Sequence, residues 1–395
     1  MKSLLAAVHT WLFRLKFALR SRDWTKAATV PIARRPIPGK PVVGKLGLGK
    51  PVLVSGFFAE TLGIGRAGAL TVARLRDEGY EVRTEDLRPF DRGLLTRRAD
   101  GFAAAGQVDT WLIHANAPEA KIALFTHDYQ AWKDLYRIGY WAWESDLAPA
   151  DWVPVAAWFH EIWVPSRFVA DALIRAGIPE VKIRIVPHPV PAPPQVETRF
   201  ERGRVRAITL FDPRSGFDRK NPEGVIDAWT SAFCEPRDDV ELIVKSLAGS
   251  DRHPLYKALQ DRAVGRPDIV FIAETFDDDA QARLLDSCDI LISLHRGEGY
   301  GLPLAEAMAQ GLAVIATGWS GNTDFMNATN SILIPSHLVP ASIMYNGPQA
   351  RWAQPDVKAA ATALSLLVHD AAKRHSLGDR ARADMRAIYA KALPL

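Results

Sequence analysis

From Pro51 onward the chain alternates between two spacings of apolar residues. Short runs of β-branched and aromatic residues, PVLVSGFF (51–58), YEVRTEDL (80–87), TWLIHA (110–115), RIGYWAW (137–143) and EIWVP (161–165), predict buried strands. Between the first two, GIGRAGALTVARLRDEG (63–79) has helical spacing and ends on Gly79, a residue suited to a helix C-terminus. The segment VPHPVPAPPQVETRFERGR (186–204) is dense first in proline and then in charge, which reads as a linker. The alternation then restarts with RAITLFD, DVELIVK, DIVFIAE, DILISLH and AVIAT, separated by helical stretches such as NPEGVIDAWTSAF and DDAQARLLDSC. Strands alternating with helices predict parallel sheets covered on both faces. The expected organisation is an arm over 1–50, an α/β domain over 51–190, a linker over 191–204 and a second α/β domain over 205–395.

Charge sharpens the boundary at the arm. Residues 1–50 hold eleven lysines and arginines against Asp23, so they carry +10 of a formal net charge of +4, and the body carries −6. The body is mildly acidic, and no nucleic-acid partner is expected. Cys234 and Cys288 have no metal-ligand spacing and make no disulfide framework, which fits a reducing, cytoplasmic setting. No run reaches the roughly 18 apolar residues that a membrane-spanning helix needs. Lys2 and the apolar stretch 3–13 resemble the start of a signal peptide, but charge rather than a small-x-small site follows. On a helical wheel, Leu4, Leu5, Val8, Trp11, Leu12, Leu15, Ala18 and Leu19 share an arc of about 140°. Two readings stand: a helix packed on the protein's own surface, or residues 1–47 as an anchor on anionic lipid at the inner face of a membrane.

Three glycine- or acid-rich segments offer chemistry. Gly63, Gly65 and Gly68 spell G-x-G-x-x-G between a strand and a helix, with Glu85 and Asp86 about twenty residues on, the dinucleotide fingerprint. The loop from Gly56 to Gly63 is longer than that fingerprint's tight turn. HRGEGYGLPLAEAMAQG (295–311) follows the strand DILISLH; its glycines free a loop, Pro303 suits a first helical turn and Gly311 a C-cap. Such a loop feeds a helix N-terminus, where anions bind. Glu298 and Glu306 flank it, and carboxylates accept hydrogen bonds from vicinal hydroxyls. Acid, anion site and acid in that order suit a ribose, a diphosphate and a sugar. Asp277-Asp278-Asp279 contains D-x-D, but it precedes a helix, where capping and dipole compensation account for it. Trp141, Trp143, Trp152, Trp158 and Trp163 are read as core, and His188 between prolines as structural.

The E-x7-E pair in EGYGLPLAEAMAQGLAVIAT resembles the donor signature of glycosyltransferase family 4, retaining enzymes of the GT-B architecture, in which two Rossmann-like domains face a central cleft. FDPRSGFDRKNPEGVIDAW (211–229), GWSGNTDFMNATNSILI (318–334) and YWAWESDLAPADW with EIWVPSRFVADAL (140–173) resemble further segments of that family, and the likeness spans roughly 51–390. The resemblance implies that Glu306 binds the ribose, Glu298 the donor sugar, and Lys220 with Arg219 the leaving diphosphate. Gly299, Tyr300, Gly301 and Leu302 would offer backbone contacts, and Gly63 and Gly65 would face the same cleft. The arginine that many members carry five residues before the lysine is Ser215 here, with Arg214 beside it as the donor-binding candidate. The histidine of the cleft-facing strand is absent: that strand ends at Glu144, and His114 lies one strand earlier, so either is the candidate on the acceptor side. The implied reaction is retaining transfer of a hexosyl group from a UDP- or GDP-linked sugar to a saccharide or lipid-linked acceptor in cell-surface polysaccharide assembly. It needs no cofactor and no metal. The rival readings are an NAD(P)-dependent oxidoreductase built on Gly63–Gly68, and a protein that binds sugar nucleotides without turnover.

Overall fold

A computed structural model describes residues 51–58, 63–88, 102, 106–193, 203–213, 216–391 and 393–395. The arm and its amphipathic segment, and likewise Arg214, lie outside the described residues.

The first sheet contains β1 (Val52–Gly56), β2 (Val82–Asp86), β3 (Thr110–His114), β4 (Tyr136–Tyr140), β5 (Glu161–Val164) and β6 (Ile183–Ile185). All are parallel, in the order β2-β1-β3-β4-β5-β6. β1 and β3 are buried at every position, as a sheet covered on both faces requires. The covering helices include α1 (Ile64–Asp77), α2 (Ala117–Thr126) and α3 (Arg167–Ala176). Trp141, Trp143, Trp152 and Trp163 are buried and Trp158 packs against the same core, in keeping with their expected place.

The second sheet contains β7 (Val205–Leu210), β8 (Val240–Ser246), β9 (Ile269–Ala273), β10 (Ile290–Ser293), β11 (Ala313–Thr317) and β12 (Ile332–Ile334). Its order, β12-β11-β10-β7-β8-β9, is the doubly wound order of dinucleotide folds, again wholly parallel. Around it lie α4 (Pro222–Ala232), α5 (Pro254–Arg262), α6 (Asp278–Asp286), α7 (Leu302–Gln310), α8 (Val357–His369) and α9 (Ala371–Tyr389). After β12 the chain makes a hairpin that belongs to neither parallel sheet, β13 (Ser336–Pro340) antiparallel to β14 (Arg351–Pro355).

Strand order reverses between β1 and β3 in the first sheet and between β7 and β10 in the second, and ligands in open parallel sheets bind beyond the strand ends at such points. The two domains touch there. Ala67 and Leu70 of α1 share an apolar cluster with Tyr300, Leu302 and Leu304 of the second domain. The end of the chain crosses back: the Leu393 amide donates to Glu78 Oε1 at 3.0 Å, and its side chain joins Val52, Val54 and Leu75 of the first domain. Two Rossmann-like domains meeting across a cleft make the GT-B architecture. Among the described residues no helix is long and apolar enough to cross a membrane.

Candidate functional site

The second domain assembles one half of the site from two loops at its switch point. After β7, a single helical turn, Phe217–Lys220, carries Arg219 and Lys220. Asn221 then takes a left-handed conformation (φ 50°). Its side-chain oxygen caps α4 by accepting from the Gly224 amide at 3.3 Å, and its amide nitrogen donates to the Leu294 carbonyl at 2.8 Å. That side chain fastens the basic turn to the loop after β10. Within this loop Glu298 is only 7% exposed. It pairs with Lys220 Nζ, and its Oε2 lies 3.3 Å from Arg219 Nη1. Arg219 Nη1 also donates to the Gly297 carbonyl at 2.9 Å. The Glu298 amide donates to Ser320 Oγ at 2.9 Å, and Ser320 is held at φ 78°, a costly conformation outside glycine.

Burial alone would raise the Glu298 carboxyl, but Lys220 and Arg219 outweigh it and hold it at about 2. Burial dominates for Lys220, whose ammonium is lowered despite Glu298. An anion arriving here would therefore meet two cations already anchored to one ionised carboxylate. Gly301 (φ 93°) turns the loop into α7, a conformation that disfavours side chains, and Gly311 closes the helix. Tyr300 and Leu302 are buried, so their side chains belong to the core.

Glu306 stands one turn further along α7 and faces the first domain. Arg66 of α1 donates from Nε to Glu306 Oε1 at 3.0 Å and from Nη1 to Asp278. Burial raises the Glu306 carboxyl, and Arg66 only partly offsets it. The D-x-D segment divides its work: Asp277 Oδ1 accepts from the Ala280 amide at 2.7 Å as the N-cap of α6, while Asp278 reaches Arg66.

The first domain supplies the facing wall. Gly63 caps α1 at φ 65° and Gly65 is buried in its first turn, close to Arg66. A Cβ on Gly297 would strike the Glu144 carbonyl oxygen, so the loops carrying these residues are in contact. The Glu144 carboxylate acts electrostatically on both Arg219 and Lys220. His114 ends β3 and is 1% exposed, stacked on Tyr140 at 4.2 Å, with neither ring nitrogen hydrogen-bonded among the described residues. Burial lowers it to about 3, so the ring is neutral. Tyr140 also stacks on His188 at 5.2 Å, whose ring meets Tyr300 edge-on at 5.0 Å. His114 thus lies beneath the cleft wall, whereas Glu144 lies at its surface. Glu85, the ribose residue of the dinucleotide reading, is spent inside the first domain: it accepts from Ser55 Oγ at 2.7 Å and contacts His127 Nε2 at 3.0 Å.

The structure brings together Glu298, Lys220, Arg219, Gly299 and the Glu144 loop, and places Glu306 against Arg66 of α1, the helix that Gly63 and Gly65 begin. Sequence reading passed over Arg66, Ser320 and Tyr345, whose hydroxyl accepts from Arg219 Nε at 3.0 Å. Arg66 had one usable signal, a cation inside a glycine-rich helix start. Tyr345 had none, because its hairpin follows no period of either domain.

Comparison with known proteins bears on the second domain and on the fold. Residues 213–344 match the family model described as Glycosyl transferases group 1. No curated protein sequence matches the chain. Among solved structures, HepE of Anabaena in complex with UDP and glucose is similar at 14% identity and TM-score 0.62, over 86% of this chain and 97% of that one. Sucrose-phosphate synthase of Thermosynechococcus elongatus is similar at 14% identity and TM-score 0.63, over 86% and 95%. A glycosyltransferase of Rickettsia africae gives 14% and 0.63, over 86% and 94%. The second half of the chain thus resembles the glycosyl transferases group 1 family over residues 213–344, and the chain as a whole has the GT-B fold of these structures.

Proposed function

We propose that the enzyme moves a hexosyl group, with retained anomeric configuration, from a nucleoside-diphosphate sugar to a saccharide or lipid-linked acceptor in cell-surface polysaccharide assembly. The observation that carries this reading is the buried Glu298–Lys220–Arg219 cluster at the mouth of α7, one helical turn from Glu306. Glu306 binds the ribose hydroxyls and Glu298 those of the sugar. Lys220, Arg219 and the helix N-terminus at Leu302 stabilise the charge that develops on the departing diphosphate. Gly63 and Gly65 close over the donor, and Glu144 is the first-domain carboxylate nearest the reacting centre; contact between the domains excludes water that would otherwise hydrolyse the donor. The side chains meet the phosphate charge, and Asp277 of the D-x-D pair is committed to capping α6, so transfer is metal-independent. UDP, which the Anabaena structure holds, is the first nucleotide to test, and GDP the second.

The test is a panel of UDP- and GDP-linked hexoses, with and without EDTA, monitored for released nucleoside diphosphate and for the product anomer by NMR. Release in EDTA with retained configuration supports the reading. No release from any donor, or an inverted product, overturns it. The arm adds a membrane expectation: deleting residues 1–47 lowers co-sedimentation with anionic vesicles and spares donor binding. Unchanged co-sedimentation would sink the anchor.

A further inference from the structure

We propose that Tyr345 is a positioning residue for Arg219, and that the hairpin carrying it links contact with the first domain to the aim of the cation that meets the diphosphate. The proposal rests on the reading that Arg219 meets that diphosphate.

The hairpin is held on two sides. Toward the first domain, Ser145 Oγ donates to the Tyr345 carbonyl at 2.9 Å, and Asp146 Oδ1 accepts from the Arg351 amide at 2.6 Å. The Asp146 amide donates to the Arg351 carbonyl at 3.2 Å, and the Tyr345 ring lies 5.8 Å from that of Trp143. Toward the donor loop, the Ala353 amide donates to the Arg296 carbonyl at 2.8 Å, and Arg296 Nε donates to Gln354 Oε1 at 3.0 Å. The hairpin is thus a strap across the two domains, and Tyr345 sits where it bends.

From that point its hydroxyl turns inward and accepts from Arg219 Nε at 3.0 Å. A guanidinium is a rigid plane with five N–H donors. Tyr345 holds the Nε edge, and Gly297 and Glu298 hold Nη1, which fixes the plane and leaves Nη2 without a hydrogen bond among the described residues. The approach is tight: Gly216 lies at φ 88°, and a Cβ there would collide with the Tyr345 hydroxyl. A cation steered at two corners is preorganised for a phosphate oxygen, and electrostatic stabilisation of a leaving group depends on such preorganisation. Losing the hydroxyl frees one corner, and losing the strap's grip on the first domain frees the hydroxyl.

The experiment titrates the wild type, Tyr345→Phe, Asp146→Ala and Arg219→Ala with UDP or GDP, whichever the wild type takes up, and with the matching nucleoside. Phenylalanine keeps the ring against Trp143 and Trp352, so folding is preserved and the hydroxyl alone is removed. The expected result for Tyr345→Phe is a loss of about five- to tenfold in nucleoside-diphosphate affinity, with nucleoside affinity within about twofold of the wild type. Asp146→Ala should show the same signature more weakly. A purely structural role would lower both affinities together, and that result overturns the proposal. So does unchanged diphosphate affinity in Tyr345→Phe while Arg219→Ala loses it, and so does an Asp146→Ala protein indistinguishable from the wild type. Unchanged affinity in Arg219→Ala would remove the diphosphate role of Arg219, and the proposal with it.

Discussion

Glu306 and Glu298 lie eight residues apart on one loop and helix but occupy opposite electrostatic settings. Glu298 is locked ionised by two cations, whereas Glu306 is raised by burial and met by Arg66 from the facing domain. The first setting suits a fixed negative wall beside the sugar. The second suits a carboxylate ready to exchange a partner for ribose hydroxyls. Replacing Glu306 with alanine should weaken nucleoside-diphosphate binding by roughly 1–3 kcal/mol, the scale of lost charge-assisted hydrogen bonds. Calorimetry on the folded variant checks it, and an unchanged affinity removes Glu306 from the ribose role. The two glutamates were legible because glycine, proline and acid spacing is local in the chain. Arg66 was not: its contact with Glu306 spans 240 residues, and only the fold brings the two together. Tyr345 and Arg219, 126 residues apart, met for the same reason.

At the scale of elements, the loop after β10 works because neighbouring elements hold it from several sides. Ser166, the N-cap of α3, accepts from the Val169 amide and also donates to the Gly299 carbonyl at 2.6 Å. Asp324 accepts from the Arg167 amide at 2.7 Å. Gly297 allows the loop to lie against Glu144 with no side chain between them. Gly297→Ala would push the first domain away, at a cost of about 1–3 kcal/mol for an overpacked contact. The expected outcome is a lower kcat with nucleotide binding largely kept, and a larger radius of gyration by small-angle scattering in the presence of nucleotide. A kcat equal to that of the wild type would show that this contact is not part of the working state. The strands of both sheets were readable from apolar runs bounded by turn residues, and α4, α6 and α7 from their proline, aspartate and glycine ends. The short β6 and β12 and the β13–β14 hairpin were not, because β6 and β12 are only three residues each, too short to show a period, and β13 is mostly exposed.

Across the whole molecule, buried imidazoles set an acid limit. His114 and His295 are at most 1% exposed with both ring nitrogens unbonded among the described residues, and burial lowers them to about 3 and about 4. In the unfolded chain each titrates near 6.5. Their folded values lie below that, so the unfolded state binds more protons in between, and stability falls as pH drops through 6.5 toward 4. Each histidine should cost about 2 kcal/mol between pH 7 and pH 5. Thermal unfolding at the two pH values checks it. The drop should be smaller in His295→Gln than in the wild type, and an equal drop would show that His295 is charged or solvated in the native state.

The central claim is that this cleft releases a nucleoside diphosphate from a sugar donor with Lys220 stabilising the leaving group. The direct measurement is kcat for that release, by the wild type and by Lys220→Ala, with the donor the wild type accepts. The lysine's charge matters most as the diphosphate departs, so the variant should fold normally yet turn over at least about tenfold more slowly, a loss of about 1.4 kcal/mol or more in the transition state. A Lys220→Ala enzyme whose kcat stays within about threefold of the wild type would contradict the account.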